Sequence, residues 1–114
     1  MNEMTNWRGN PYPIEAVLNG VGEGWRPLVL KLIEDLFILG WNGNLQQIKE
    51  KFGGLRFYIG IASDEVHERI RLAEKESYQI CDVCGKPGKP RTDGWVRTLC
   101  DEHAQGRDYE DWID

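Results

Sequence analysis

Four residues near the C-terminus have the types and the spacing of a metal site. Cys81 and Cys84 form a C-x-x-C pair, Cys100 and His103 form a C-x-x-H pair, and fifteen residues lie between the two pairs. Two residues three apart in a tight knuckle or a first helical turn can direct both side chains to one point. Three thiolates and an imidazole complete the tetrahedral shell of a closed zinc site. The pattern therefore predicts one structural Zn²⁺ ion.

The alternative of a redox-active C-x-x-C pair is weaker, because such a pair belongs in a βαβ context and Cys81 follows a long polar helix instead. The chain contains three cysteines, which cannot all pair within one chain. Reduced thiols on a metal fit a reducing compartment better than disulfides do. The N-terminus lacks the regions of a signal peptide, and no run of about 18 apolar residues occurs. We therefore expect a cytoplasmic protein that makes no membrane contact.

The segment 81–105 has the order of elements expected of a zinc finger. A knuckle "CDVCG" comes first, a turn at "TDG" leads into a predicted strand at 95–99, and "CDEHA" begins a helix with the last two ligands. Knuckle, β-hairpin and helix in this order resemble the treble-clef zinc finger over about 25 residues. Treble clefs include HNH-type nucleases, and a resemblance to that family would imply a histidine in the hairpin as general base. Residues 85–99 contain no histidine.

An acidic tail follows at 106–114. Its carboxylates include those of Asp108, Glu110, Asp111 and Asp114. They could bind a cation in principle, but such a cluster near a chain end is more often solvated. No glycine-rich phosphate loop follows a strand, so Gly20, Gly22 and Gly24 form no dinucleotide fingerprint. We expect no enzyme activity.

Residues 1–80 predict a helix–hairpin–helix core. A short helix starts near Ile14 and ends by Gly20, an amphipathic core helix covers 25–40, and a third helix starts with Ser63 or Asp64 as its N-cap. Between the second and third helices, two strand-like runs flank Gly53-Gly54. The predicted fold class is α+β, with helices packed on a small antiparallel β-hairpin and a C-terminal treble-clef-like finger.

A turn at Gly53-Gly54 fixes the register of the hairpin. It predicts one mostly apolar side with Phe52 opposite Leu55, Glu50 opposite Phe57 and Ile48 opposite Ile59. It predicts another side with Lys51 opposite Arg56 and Lys49 opposite Tyr58. Because like charges directly opposite are unfavourable, the cationic side is either a solvated face, balanced by the acidic helix that follows, or a contact for an anion or a partner.

Positive charge is concentrated in two segments although the net charge of the chain is −5. Lys and Arg outnumber Asp and Glu at 45–61 and at 81–99. The candidate binding residues are Lys49, Lys51, Arg56 and Tyr58 in the hairpin and Lys86, Lys89, Arg91 and Arg97 in the finger. The acidic total argues against general coating of nucleic acid, which depends on phosphate neutralisation, but leaves a local contact open.

Two longer motifs, "KFGGLRFY" and "CDVCGKPG" followed by "GWVRTLCDEH", carry a further resemblance. The chain resembles a set of small, largely uncharacterised proteins encoded by bacteriophages and prophages, over roughly residues 25–104. The resemblance implies a phage or bacterial cytosolic setting, but it does not imply any particular activity.

Three functional hypotheses remain. The first is a protein-interaction module that modulates a host factor, supported by small size, net acidity, the missing catalytic set and the aromatic residues Tyr109 and Trp112 among acids. The alternative is a nucleic-acid-binding zinc finger that uses the two basic segments. A zinc-dependent nuclease is the third and weakest.

Overall fold

The computed structural model describes residues 3–92 and 94–104, and the α+β class is confirmed within them. In chain order the elements are α1 (Ile14–Leu18), a 3₁₀ turn (Glu23–Trp25), α2 (Arg26–Ile38), β1 (Leu45–Lys51), β2 (Gly54–Ile59), α3 (Asp64–Ser77), β3 (Lys89–Arg91) and β4 (Arg97–Leu99). Residues 101–104 are helical. The two sheets are antiparallel hairpins, β1–β2 and β3–β4. The predicted tail at 106–114 lies outside the described residues.

The predicted helices are all present. α2 has Pro27 in its first turn, and Gly40 with φ of +97° follows its end. α3 begins as predicted, because the Ser63 hydroxyl accepts a hydrogen bond from the Val66 amide at 3.2 Å. The buried faces follow the apolar spacing of the sequence; they are Leu28, Val29, Leu32, Ile33 and Leu36 on α2, and Val66, Ile70, Ala73 and Ser77 on α3.

In the β1–β2 hairpin each residue of β1 from Gln47 onward pairs with the residue two positions before its predicted partner. The pairs are Lys51 with Gly54, Glu50 with Leu55, Lys49 with Arg56, Ile48 with Phe57 and Gln47 with Tyr58. The turn is therefore Phe52-Gly53, with φ of 53° and 85°. The predicted turn at Gly53-Gly54 and the predicted pairs are wrong. The division into faces holds for the residues within the strands, but Phe52, predicted on the apolar side, lies in the turn and is exposed.

Contacts made by Gly53 and Gly54 explain this register. Gly54 lies in the strand against the Tyr78 ring, where a Cβ would overlap the phenol group. The Gly53 amide donates to the Glu50 carboxylate at 2.6 Å, and the Gly53 carbonyl accepts from the Thr98 hydroxyl at 2.6 Å. Gly54 is thus needed in the strand, so the turn moves back to include Phe52.

We expect Phe52→Asn to stabilise the fold. Both turn residues have positive φ, which Asn-Gly adopts readily and a bulky aromatic residue does not. The free energy of unfolding should rise by about 1 kcal/mol, measured by urea denaturation. Phe52→Ala keeps the unfavourable φ and should give no such gain. A Phe52→Asn midpoint at or below that of the parent chain would contradict the turn assignment.

The outer edge of β2 is covered by α3. The Leu55 amide donates to the Ser77 hydroxyl at 2.9 Å, and the Phe57 amide donates to the Glu74 carboxylate at 3.0 Å. Ser77 is fully buried, and its own hydroxyl donates to the Glu74 carbonyl. Side chains of α3 therefore satisfy the strand amides that β1 does not pair.

Candidate metal centre

The four predicted ligands converge on one point. The Cys84 and Cys100 sulfurs are 3.7 Å apart, and His103 Nδ1 lies 3.6 Å from Cys81 Sγ and 3.2 Å from Cys100 Sγ. All four ligand atoms lie within 4.8 Å of one another. Metal bonds of about 2.3 Å to sulfur and about 2.0 Å to nitrogen give tetrahedral edges of roughly 3.5 to 3.8 Å. The side chains present can therefore bind one metal ion in a closed shell.

Local backbone geometry places these ligands. The Cys81 amide donates to the Lys86 carbonyl at 2.8 Å, and the Gly85 amide donates back to the Cys81 carbonyl at 3.0 Å. Gly85 has φ of +82°, which lets the chain curl around the sulfurs of the knuckle. Cys100 precedes the helical residues 101–104, and its carbonyl accepts from the Ala104 amide at 2.9 Å. Cys100 and His103 thus share the face of one helical turn.

The three thiols differ in acidity. The hydrogen bond from the Lys86 amide lowers the pKa of Cys84, but burial and the neighbouring thiols of Cys100 and Cys81 outweigh it and raise that pKa. Burial opposes ionisation of Cys81, but hydrogen bonds from the amides of Cys100, Cys84 and Val83 lower the pKa of its thiol to about 6. The His103 amide lowers the pKa of Cys100. The neighbouring thiol groups of Cys100 and Cys81 raise the pKa of His103. Because thiols bind a metal as thiolates, proton release should accompany metal uptake.

The finger is docked on the core through backbone contacts at two glycines. The Gly24 amide donates to the Asp82 carbonyl at 2.9 Å, and a Cβ on Gly22 or Gly24 would overlap the carbonyl oxygens of Asp82 or Cys81. The fully buried Trp25 donates from its indole nitrogen to the Ile80 carbonyl at 2.8 Å. From the sequence, these glycines were considered as a dinucleotide fingerprint, which they do not form. The two glycines before a tryptophan were the signal for a close approach.

A bidentate ion pair holds the knuckle to β4. Arg97 donates from Nη2 and Nε to the two carboxylate oxygens of Asp82, at 2.7 and 3.2 Å. The Asp82 side chain is 7% exposed and that of Arg97 is 41% exposed. Asp82 hydrogen bonding raises the pKa of Arg97. Because the carboxylate is buried, the guanidinium is required to compensate its charge.

Arg97→Gln is expected to lower the free energy of unfolding by about 1 to 3 kcal/mol, because it leaves a buried carboxylate without its main donor. Urea denaturation of the zinc-loaded chain measures the loss. Adding Asp82→Asn removes the buried charge and should recover part of it. If Asp82→Asn lowered the free energy of unfolding as much in the Arg97→Gln chain as it does in the parent chain, the two side chains would not act as a pair.

Two of the other three finger candidates, Arg91 and Lys86, also contact acidic groups. Arg91 donates to the Asp101 carboxylate at 2.9 Å and to the Leu99 carbonyl at 3.0 Å. Lys86 lies 3.6 Å from a carboxylate oxygen of Glu102. Lys89 is exposed in β3. The predicted strand at 95–99 is shorter in the structure, because its partner β3 pairs only as far as Arg91 with Arg97.

The hairpin candidates lie together on the side of the sheet away from the core. Lys49 Nζ is 5.8 Å from the centre of the Tyr58 ring, and Lys51 Nζ is 5.6 Å from that of Phe52. Arg56 donates to the Tyr78 hydroxyl at 3.1 Å. The structure thus groups the hairpin set on one surface and engages three of the four finger cations with carboxylates of the finger itself.

Comparisons with known proteins return no relative. No protein-family model matches the chain, and no curated protein or solved structure matches it at a significant level. The resemblance to phage and prophage proteins therefore rests on the two motifs alone. Among residues 3–92 and 94–104, no helix has the length and apolar character needed to cross a membrane. What the chain shows is an α+β fold with a Cys₃His cluster able to bind one metal ion.

Proposed function

We propose that the chain is a non-catalytic binding module in which one structural zinc ion holds the finger against the β1–β2 hairpin. Three thiolates and an imidazole favour Zn²⁺ among common cytosolic cations. The observation that carries the proposal is the convergence of four protein ligand atoms, all within 4.8 Å of one another, which are enough to complete a tetrahedral shell. A catalytic zinc site keeps one position for water or substrate, so this donor set favours a structural ion over a nuclease.

The zinc ion acts on the hairpin through the finger. The ligand Cys100 directly follows β4, whose Thr98 side chain is fully buried and donates to the Gly53 carbonyl in the hairpin turn. Val96 lies close to Gly53 as well. Ordering of the finger by zinc therefore supports the hairpin tip and the surface beside it.

The partner of this module is either a protein or a nucleic acid. A protein partner, such as a host factor in a bacterial or phage-infected cytosol, is supported by the net charge of −5 and the small size of the chain. Tyr109 and Trp112, which also favoured it, lie outside the described residues. A nucleic-acid partner is supported by a specific observation, the grouping of cations and aromatic rings on one side of the hairpin.

Hydrogen exchange with and without zinc tests the proposed role of the ion. Removal of zinc by a chelator should expose the amides of residues 81–104 and also those of the hairpin turn, while α2 amides stay protected. Native mass spectrometry of the same samples reports metal content. Unchanged protection of the hairpin turn after complete zinc loss would contradict the proposal.

A further inference from the structure

We propose that the outer face of the β1–β2 hairpin binds single-stranded nucleic acid, an inference that rests on the binding-module function above. The outer face is the side of the sheet away from the core, and it comprises Gln47, Lys49, Lys51, Arg56 and Tyr58. Trp7 and Arg8 lie at one end of it, and Phe52 and Trp95 lie at the other. A cavity lined by Trp7, Gln46, Gln47 and Tyr58 joins the first pair to the sheet.

The charged side chains at the outer strand positions of this face are all positive. No carboxylate occupies an outer position of β1 or β2, because Glu50 points to the opposite side and binds the Gly53 amide. Among the described residues, Lys49 and Lys51 form no ion pair, whereas Lys31, Arg71 and Lys86 pair with carboxylates of neighbouring residues. Lys49 stands opposite Arg56. Like charges in opposite positions are unfavourable until an anion lies between them.

Aromatic rings alternate with these cations. The guanidinium carbon of Arg8 lies 4.6 Å from the centre of the Trp7 ring, and Lys49 and Lys51 lie beside Tyr58 and Phe52. The rings are open to solvent, with Trp7 64% and Phe52 69% exposed. Exposed rings beside cations are the pattern of single-strand binders, in which bases stack on the rings and phosphates lie along the cations. A duplex hides its bases from such rings.

A cleft at the hairpin tip extends the face toward the finger. A cavity of about 350 Å³ lies between the hairpin and the finger, lined by Glu50, Lys51 and Phe52 on one side and by Gly94, Trp95 and Val96 on the other. The Glu50 carboxylate there accepts a hydrogen bond from the Gly53 amide. The volume of the cavity is in the range of small-ligand sites, which begin near 300 Å³. Phe52 is held there at positive φ, a conformation costly for an aromatic residue. A ligand that stacks on the exposed ring would account for an aromatic residue in this unfavourable conformation at the edge of a cleft.

The length of the outer face determines how long a test oligonucleotide should be. The pairs Gln47–Tyr58 and Lys51–Gly54 are four residues apart along β1. At the usual strand rise this separation is about 13 Å. Single-strand sites of this kind cover roughly 4 to 16 nucleotides. An oligonucleotide of about twelve nucleotides is therefore long enough to cover the face.

Fluorescence anisotropy of the zinc-loaded full chain tests the proposal. Labelled oligo-dT and oligo-U of about twelve nucleotides should bind, and a duplex of equal length should bind at least about fivefold more weakly, because stacking is lost. The salt dependence between about 25 and 200 mM should correspond to two or three phosphate contacts, a log–log slope of about −1.4 to −2.

Matched variants locate the site. Lys49→Gln with Lys51→Gln should weaken binding about tenfold and reduce the salt slope by about 1.4, the contribution of two phosphates. Lys31→Gln with Arg71→Gln removes the same charge from α2 and α3, and its affinity should stay within about twofold. Phe52→Asn should weaken binding severalfold while raising the urea midpoint, which loss of structure could not do.

Absence of binding to either oligonucleotide at about 25 mM salt, with zinc bound and the fold intact, would overturn the proposal. Equal weakening by both double variants would overturn it too, because binding would then follow net charge alone. Binding of poly-glutamate, but of no oligonucleotide, through Lys49 and Lys51 would replace nucleic acid by an acidic protein. That result would not contradict the proposed binding module. The binding module is tested separately, by the effect of zinc on hydrogen exchange in the hairpin turn.

Discussion

The Cys84→Ser chain is expected to lose metal binding and the folded state of the finger, while α2 and α3 remain helical. Binding of a structural zinc supplies on the order of 10 kcal/mol to the folding of a small finger. The buried cluster that involves the finger is small and consists of Cys81, Leu99, Cys100 and Ala104. Without the ion it cannot offset the conformational entropy of about two dozen residues.

The core should survive this change with reduced stability. α2 is buried against the hairpin and α3, in a separate cluster that includes Leu32, Leu36 and Phe57. Loss of the contacts at Gly24 and Trp25 should lower the melting temperature by more than about 10 °C. Far-UV circular dichroism and thermal melting, with native mass spectrometry for zinc, measure the outcome.

Val83→Ser is the matched control, because Val83 lies within the same knuckle, is 38% exposed and offers no ligand to the metal. It should retain zinc and melt close to the parent chain. A Cys84→Ser chain with one bound zinc and an unchanged melting temperature would contradict the ligand assignment. Complete loss of helical signal would show that 1–80 and 81–105 fold as one unit, against the predicted division.

Gly24→Ala is expected to lower the free energy of unfolding by about 3 kcal/mol or more. Its Cβ would overlap the Cys81 carbonyl oxygen and lie 2.6 Å from the Gly85 amide nitrogen. Both are backbone atoms of the knuckle, so no side-chain rotation relieves the contact. The finger must move away and lose the Gly24–Asp82 hydrogen bond. Zinc content should stay at one per chain, because all four ligands lie within the finger.

Gly60→Ala is the control for this change. Its Cβ would meet only the amide nitrogen of the Gln46 side chain, at 3.1 Å. That group is the end of a flexible chain and can rotate away, so the cost should stay within about 0.5 kcal/mol. Urea denaturation of the two variants gives the comparison. Equal stability of Gly24→Ala and Gly60→Ala would show that the finger is not docked through Gly24.

Features set by local periodicity could be predicted from the sequence. The apolar spacing of α2 and the Ser63 cap of α3 act over one or two helical turns, and both are present. The four metal ligands could be predicted for the same reason, since each pair is three residues apart and its geometry is local. The division of the hairpin into two faces also followed from strand alternation alone.

Features set by distant contacts could not be predicted in this way. The hairpin turn shifted to Phe52-Gly53 because Gly54 is required against Tyr78, which lies in a different element. The docking role of Gly24 depends on the knuckle, far along the chain. The partners of Arg91 and Arg97 likewise became visible only once the finger was folded, and basic composition by itself had suggested a free surface.

The most direct test of the account is zinc K-edge X-ray absorption of the purified full chain, together with its metal content. The account predicts one zinc per chain, with three sulfur ligands at about 2.3 Å and one nitrogen ligand at about 2.0 Å. This result would establish a closed structural ion bound by Cys81, Cys84, Cys100 and His103. A chain without zinc, or a zinc ion with a water ligand in place of one of these side chains, would contradict it.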